Sequence, residues 1–316
     1  MNLLENTKEI CKLYNINPSR SKGQNFLVNE KVYDEIIAAA NLTKDDTVLE
    51  VGPGLGILTA KLAEKAGRVI AVELDDKLAA YLKDGLENSE VDNIKVFNEN
   101  VLDFDIEKIF SIKSLTHPLR QGSGQAVSLP TPSRQGRATP PGRGISILRG
   151  GEYKIVANLP YNITSVFIRK FLTSENKPSE MVLMLQKEVA ERICAKPGDM
   201  SLLALSVQFF AEPEIIAKVP KEDFYPSPRV DSAIIKLRIK NEELRIKDIE
   251  EKEFFRIAKF GFSAKRKMLK NNLAGGLHIT PAEAEKILVK AGFNPKARAE
   301  DLSVEDWRKI VTLLNC

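Results

Sequence analysis

Four consecutive residues, Asn158-Leu159-Pro160-Tyr161, bring together groups that could hold a flat heterocycle by its amine. They close an apolar run, Lys154-Ile155-Val156-Ala157, of the kind that forms a short buried strand. Proline fixes its own backbone and biases the residue before it toward extended geometry. The turn then leaves the Asn158 side chain and the Leu159 carbonyl directed at one spot beyond the strand end. Both are hydrogen-bond acceptors, and Tyr161 adds a ring. Two acceptors and a ring suit a planar base with an exocyclic amine, adenine above all. Taken alone, the same residues also fit an ordinary strand-to-turn junction.

A second cluster lies upstream in Glu50-Val51-Gly52-Pro53-Gly54-Leu55-Gly56. Glycines there allow a tight turn and a close approach of ligand to backbone. The G-x-G-x-G spacing is one residue shorter than the dinucleotide fingerprint, and the G-K-[ST] ending of a phosphate loop is missing. Glu73 ends the next strand, where a carboxylate can accept both hydroxyls of a ribose. Glu50 is the one acid inside a buried strand and needs a partner, either the loop's amides or a ligand ammonium. A third strand runs out at Asn98-Glu99-Asn100, within reach of a ligand's base. No pyrophosphate grip is implied, and a nucleophilic amine is expected next door. S-adenosylmethionine fits these groups better than a nicotinamide.

Those tips need strands behind them. Thr47–Val51, Arg68–Glu73, Ile94–Asn98, 154–158 and Met181–Leu185 read as strands, and helices are predicted at 29–40, through 66, at 75–87 and at 164–172. This alternation is the rhythm of a parallel sheet with helices on both faces. Two late strands, Glu214–Val219 and Ser232–Ile239, suggest an antiparallel hairpin at the sheet edge. After residue 241 only helical patterns remain, with Thr280 and Ser303 as N-caps. The expected division is an α/β domain over 1–240, which carries these strand tips, and a small helical domain over 241–316. Residues 114–150 are rich in Gly, Pro, Ser and Arg without apolar periodicity, and read as a disordered insertion.

The totals narrow the classes. The chain has 316 residues, 43% of them hydrophobic, and no apolar run long enough to span a membrane. Its start lacks the blocks of a secretory signal. Three scattered cysteines (Cys11, Cys194, Cys316) fit a reducing cytoplasm, and two histidines argue against a metal cluster or a Ser-His-Asp triad. The net charge is +4, but 114–150 holds five arginines and no acid, so +4 less five leaves −1 elsewhere. A nucleic-acid surface must therefore be a local patch. The run from Arg256 to Lys270 holds six basic residues and no acid. Alone it fits a solvated helix face; beside a base-modifying site it becomes a phosphate-contacting surface, with Lys265, Arg266, Lys267 and Lys270, extended by Arg20 and Lys22, as the contacts.

Together these motifs resemble the KsgA family of ribosomal RNA adenine N6,N6-dimethyltransferases, relatives of the Erm methyltransferases. The resemblance rests on Gly23–Leu27, Glu50–Gly56, 71–75, 158–161, Phe224-Tyr225-Pro226-Ser227-Pro228-Arg229-Val230-Asp231-Ser232 and 265–273. It implies a Rossmann-like class I S-adenosylmethionine-dependent α/β fold, with a mostly parallel seven-stranded sheet and a small C-terminal α-helical domain. It also implies that Asn25 and Leu27 touch the cofactor, with Gly52 facing its methionine part and Glu73 at its ribose; Glu50 and Gly54 are expected cofactor contacts beside them. Asn158 would sit where methyl donor and target meet. The family usually has Asp where this chain has Asn100, beside the cofactor's adenine; Asn keeps an acceptor oxygen but loses the charge. Asp103 is a second candidate there, or a cap for the next helix.

The implied reaction needs no histidine base. Asn158 and the Leu159 carbonyl, held by Pro160, would favour the pyramidal form of the adenine amine, while Tyr161 and Phe224 sandwich the flipped base, with Tyr225 as the rival. The implied substrate is a pair of adjacent adenines near the 3′ end of small-subunit rRNA in an immature subunit. An Erm-like enzyme on large-subunit RNA, a DNA adenine methyltransferase and a non-catalytic assembly factor are the alternatives. A cytoplasmic monomer without metal is expected.

Overall fold

The computed structural model describes residues 2–18, 23–111, 153–240 and 251–315; the 114–150 segment, Arg20 and Lys22 lie outside them. The elements in order are α1 (Leu3–Leu13), β1 (Phe26–Leu27), α2 (Glu30–Ala40), β2 (Thr47–Val51), α3 (Ile57–Lys65), β3 (Arg68–Glu73), α4 (Asp76–Glu87), β4 (Ile94–Asn98) and α5 (Glu107–Ser111). Then come β5 (Tyr153–Asn158), α6 (Thr164–Leu172), β6 (Glu180–Gln186), α7 (Lys187–Ile193), α8 (Leu202–Phe210), β7 (Ala211–Val219), β8 (Phe224–Tyr225) and β9 (Ser232–Ile239). Four helices close the chain: α9 (Glu251–Gly261), α10 (Leu269–Leu277), α11 (Pro281–Lys290) and α12 (Val304–Asn315).

The large sheet has seven strands in the order β4-β3-β2-β5-β6-β9-β7. Strands β2 to β6 pair in parallel, and their interiors are near-continuous apolar runs because both faces are covered. From β2 the chain steps outward to β3 and β4, then returns to place β5 on the other side of β2. That reversal is the place where open α/β sheets bind ligands, at the carboxyl ends of the strands. The register sharpens it. Val51 lies opposite both Val72 and Ala157, and Glu73 opposite Asn98, so four strand tips end level with one another. A small second sheet pairs β1 antiparallel to β8, with Leu27 opposite Phe224.

Short polar side chains start the helices that frame this edge. Asn29 caps α2, and Asp75 caps α4 by accepting from the amides of Lys77 and Leu78. Thr280 and Ser303 cap α11 and α12 as expected. The late strands are neighbours, with β7 at the sheet edge.

Two compact units emerge: Met1–Lys187 with Ile216–Leu237, and Glu188–Ile215 with Arg238–Cys316. The sequence pattern draws its line at residue 240, whereas α8 groups with the later helices. The reason is aromatic packing: Phe209 meets Phe254 at 4.5 Å and Phe210 stacks on Phe255. Within this second unit Trp307 is fully buried against Gly261, where a Cβ would lie 2.2 Å from the indole.

Candidate active site

The glycine loop begins where β2 ends. Gly52 takes φ +65°, a backbone region that disfavours side chains, and its amide donates to the Val72 carbonyl. Pro160 packs beside it, and on its other side comes Gly23, also at φ +65°, where a Cβ would lie 3.2 Å from the Pro160 ring. The cofactor loop, the N-terminal segment and the acceptor turn thus meet at one proline.

Glu73 shapes the loop. One carboxylate oxygen accepts from the Gly54 amide at 3.1 Å and the other from the Asp75 amide at 2.9 Å. Burial pushes its pKa up, and these amide bonds pull it down. Each oxygen retains lone-pair capacity for a ribose hydroxyl. Of the two roles open to Glu50, the loop amides fall to Glu73. Glu50 is 1% exposed, and neither of its oxygens completes a hydrogen bond. The Thr59 hydroxyl lies near enough to lower its pKa but not to bond it. Burial dominates, with Glu73 adding repulsion, and its carboxyl is pushed up to about 8. An orphaned buried carboxylate beside an open-backed glycine loop fits the cationic methionine end of S-adenosylmethionine.

The acceptor side is built from β5. The Leu159 amide donates to the Met184 carbonyl at 3.0 Å, extending the β5–β6 ladder past Asn158. The Asn158 amide nitrogen donates to the Asn25 carbonyl at 3.4 Å. That bond assigns the nitrogen and leaves the amide oxygen as the group turned elsewhere. Tyr161 is held by a 2.8 Å hydrogen bond between its hydroxyl and that of Ser232, a fully buried residue. Phe224 is 4% exposed and belongs to the core around Tyr33 and Leu27, yet it also lines the cleft. Tyr225, its rival, is half-buried with the Lys8 ammonium over its ring.

One cleft collects all these groups: Asn25, Leu27, Glu50, Gly52, Gly54, Glu73, Asn100, Asn158, Leu159, Pro160, Tyr161 and Phe224 line it together. Gln24, Asp75 and Leu78 line it too and were not anticipated. Gln24 donates to Asp75 at 3.2 Å, which joins the N-terminal segment to the start of α4. The G-Q-N-F-L motif held the signal for Gln24 and the 71–75 motif that for Asp75; nothing local marked Leu78.

Two expectations need correcting, the cap role of Asp103 and part of the basic patch. Asn100 lines the cleft, and its oxygen, which accepts from the Leu102 amide at 3.0 Å, keeps a second lone pair for an amine, while its nitrogen donates to Asp103 at 2.8 Å. Asp103 is therefore engaged with Asn100 and does not cap α5; the Glu107 amide goes to Asp105 instead. The second correction concerns the basic patch. Lys265, Arg266 and Lys267 are exposed on the turn between α9 and α10. That turn is held by the buried Asn272, whose amide donates to the carbonyls of Gly261 and Ala264. Lys270, however, is tied to Glu285 at 2.6 Å with its side chain 20% exposed, so its charge is already answered within the fold.

The level strand tips, the switch-point cleft and the acidic ribose end define a class I S-adenosylmethionine-dependent methyltransferase. Solved structures share the architecture. A dimethyladenosine transferase from Plasmodium falciparum superimposes with a TM-score of 0.68 at 23% identity, over 92% of this chain and 97% of that one. The 23S rRNA methyltransferase ErmE gives 0.63 at 26% identity, over 92% and 100%. The model of the family described as ribosomal RNA adenine dimethylase matches residues 15–315. Ribosomal RNA small subunit methyltransferase A from Dehalococcoides mccartyi strain BAV1 is 40% identical over 98% of this chain and 92% of that protein. Its counterpart from Clostridioides difficile strain 630 is 35% identical over 98% and 95%. This chain belongs to the ribosomal RNA adenine dimethylase family, enzymes that use S-adenosylmethionine to methylate adenine in rRNA. Among the described residues no helix is long and apolar enough to cross a membrane.

Proposed function

We propose that this enzyme dimethylates the exocyclic amines of two adjacent adenines near the 3′ end of small-subunit rRNA, acting on an immature subunit during ribosome biogenesis. The observation that carries the site reading is the tethered amide of Asn158 beside the glycine loop. Bound in the cleft, S-adenosylmethionine supplies a methyl group on a cationic sulfur. The chain does the rest by positioning. Asn158 Oδ1 and the Leu159 carbonyl accept the two N–H bonds of the amine and favour its nucleophilic, pyramidal form. Tyr161, its ring angle set by Ser232, stacks on the extruded base, and Phe224 forms the wall behind. Gly52, Gly54 and Glu50 take the methionine end; Glu73 takes the ribose, Asn100 the cofactor's base, and Asn25 and Leu27 close the N-terminal side.

Small-subunit specificity is supported by relatives at 34–40% identity, all named for the small subunit. We assign catalysis to residues 1–240 and RNA grip to 241–316, with Lys265, Arg266 and Lys267 as phosphate contacts. Undermethylated small subunits incubated with methyl-labelled cofactor test the reading. Label in two adjacent adenines near the RNA 3′ end is expected. Label in large-subunit RNA would favour an Erm-like enzyme, and binding without label a purely structural assembly factor.

A further inference from the structure

Lys170 lies in the last turn of α6, the helix that starts just beyond the Asn158–Tyr161 turn. Its ammonium donates to three backbone carbonyls, those of Val101 at 3.1 Å, Leu102 at 2.8 Å and Phe104 at 2.8 Å. An ammonium has three N–H donors, so each has a partner. The three carbonyls belong to the turn after β4, whose first residues, Glu99, Asn100 and Val101, line the cleft. A lysine facing several carbonyls acts as a C-cap acts on a helix: it satisfies a cluster of acceptors that would otherwise face a partly buried site unpaired. Burial lowers the Lys170 pKa, and the Asp103 and Asp105 carboxylates oppose that shift.

We infer that Lys170 is a positioning residue for the cofactor: it fastens the turn carrying Asn100 to the helix that issues from the base-holding turn. One end of α6 follows Tyr161; the other, through Lys170, holds the loop beside the cofactor's base. The helix therefore links the turn beside the cofactor's base to the base-holding turn. This rests on the reading of the cleft given above, in which Asn100 meets the cofactor's base. Without Lys170 the other restraints on the turn remain, namely the Asn100 bonds to Leu102 and Asp103 and the Lys108–Glu99 ion pair. The turn should then loosen without unfolding. The groups that act on the adenine amine are untouched, so the loss belongs in cofactor affinity and not in turnover at saturation.

The experiment compares four variants of the full chain by calorimetric titration with S-adenosylmethionine and by steady-state kinetics. Lys170→Met keeps the aliphatic stem and should raise Kd and KM for the cofactor ~10-fold, with kcat within ~2-fold. Lys170→Arg, which retains donors, should recover most of that loss. Lys236→Met serves as the control. Lys236 bonds Glu180 and the Ala39 carbonyl in the same unit but does not line the cleft, so its loss should lower Tm and leave cofactor Kd unchanged. Asn100→Ala tests the underlying reading by weakening the cofactor directly. If Lys170→Met leaves Kd within ~2-fold while Asn100→Ala weakens binding, the inference on Lys170 falls and the cleft reading stands. If Asn100→Ala is neutral, the assignment of the β4 tip to the cofactor's base is what fails. Equal loss of affinity in Lys170→Met and Lys236→Met would reduce Lys170 to a general stabiliser and overturn the proposal. Should Lys170→Met not fold, Lys170→Gln, with a single amide donor group, must show the same KM-only shift for the inference to survive.

Discussion

The two ends of the cleft are built on opposite principles. At the glycine loop the decisive groups are acids taken almost wholly out of water: Glu50 is 1% and Glu73 6% exposed. At the acceptor turn the groups are neutral, an amide and a phenol, and both are only half-buried. A small cation that stays through the reaction can be held by a closed, acidic socket, because burial strengthens each charge interaction. A base delivered on a large polymer must enter and leave. Its holder has to be open, and it selects by hydrogen-bond geometry instead of charge. Binding and chemistry are thereby divided between the two sides, and each side can be broken separately.

The largest effect is expected at the open end. Asn158→Ala should cut kcat by ~10²–10³ while cofactor Kd moves no more than a few-fold, since a preorganised acceptor is lost and no charge is exposed. Single-turnover methylation alongside calorimetry checks this; retained turnover would remove the amide from the chemistry. At the closed end the sign reverses. Glu73→Gln cannot accept from both the Gly54 and Asp75 amides and loses the charge, so cofactor Kd should rise ~10–100-fold, with much of kcat recovered at saturation.

The third test is the pH dependence that Glu50 contributes. Its carboxyl is pushed up to about 8 from an ordinary 4.5. Between those values the folded chain binds a proton that the unfolded chain releases, so Glu50 makes stability fall as pH rises through the window and level off above about 8. A cationic ligand favours the ionised form, so cofactor affinity should climb from pH 6 toward 8 by up to ~10-fold per unit, with proton release on binding. Glu50→Gln should flatten both trends. Parallel pH profiles for the two proteins would take Glu50 out of the cofactor site.

The smallest effect separates two lysines that look alike in sequence. Lys267→Ala should weaken RNA binding a few-fold and lower the salt slope by ~1. Lys270→Ala should leave that slope unchanged, because its partner is Glu285 and not a phosphate.

Much of the cleft was legible because chemistry and local geometry coincide at strand ends. Strands β2, β3, β4 and β9 and helix α6 fall on the residues that the sequence pattern marks, and each carries a compact apolar run with a turn signal behind it. Asn158, Glu73 and the glycines announce themselves by type and place. What the pattern left open or missed shares one cause. Which of its two roles falls to Glu50, what Asp103 bonds to, and which lysine is already paired are questions of pairing between side chains and partners that local pattern cannot see.

The sequence by itself determined the order of strands and helices, the residues at each strand tip and the family to which the chain belongs, because periodicity, turn chemistry and motif spacing are properties of neighbours along the chain. Tertiary structure alone decided the partners: Asn158 with Asn25, Tyr161 with Ser232, Lys170 with the turn after β4, and Lys270 with Glu285. A hydrogen bond is won or lost over a few tenths of an ångström between groups far apart in sequence. Only the closed sheet and its packed helices set distances that finely.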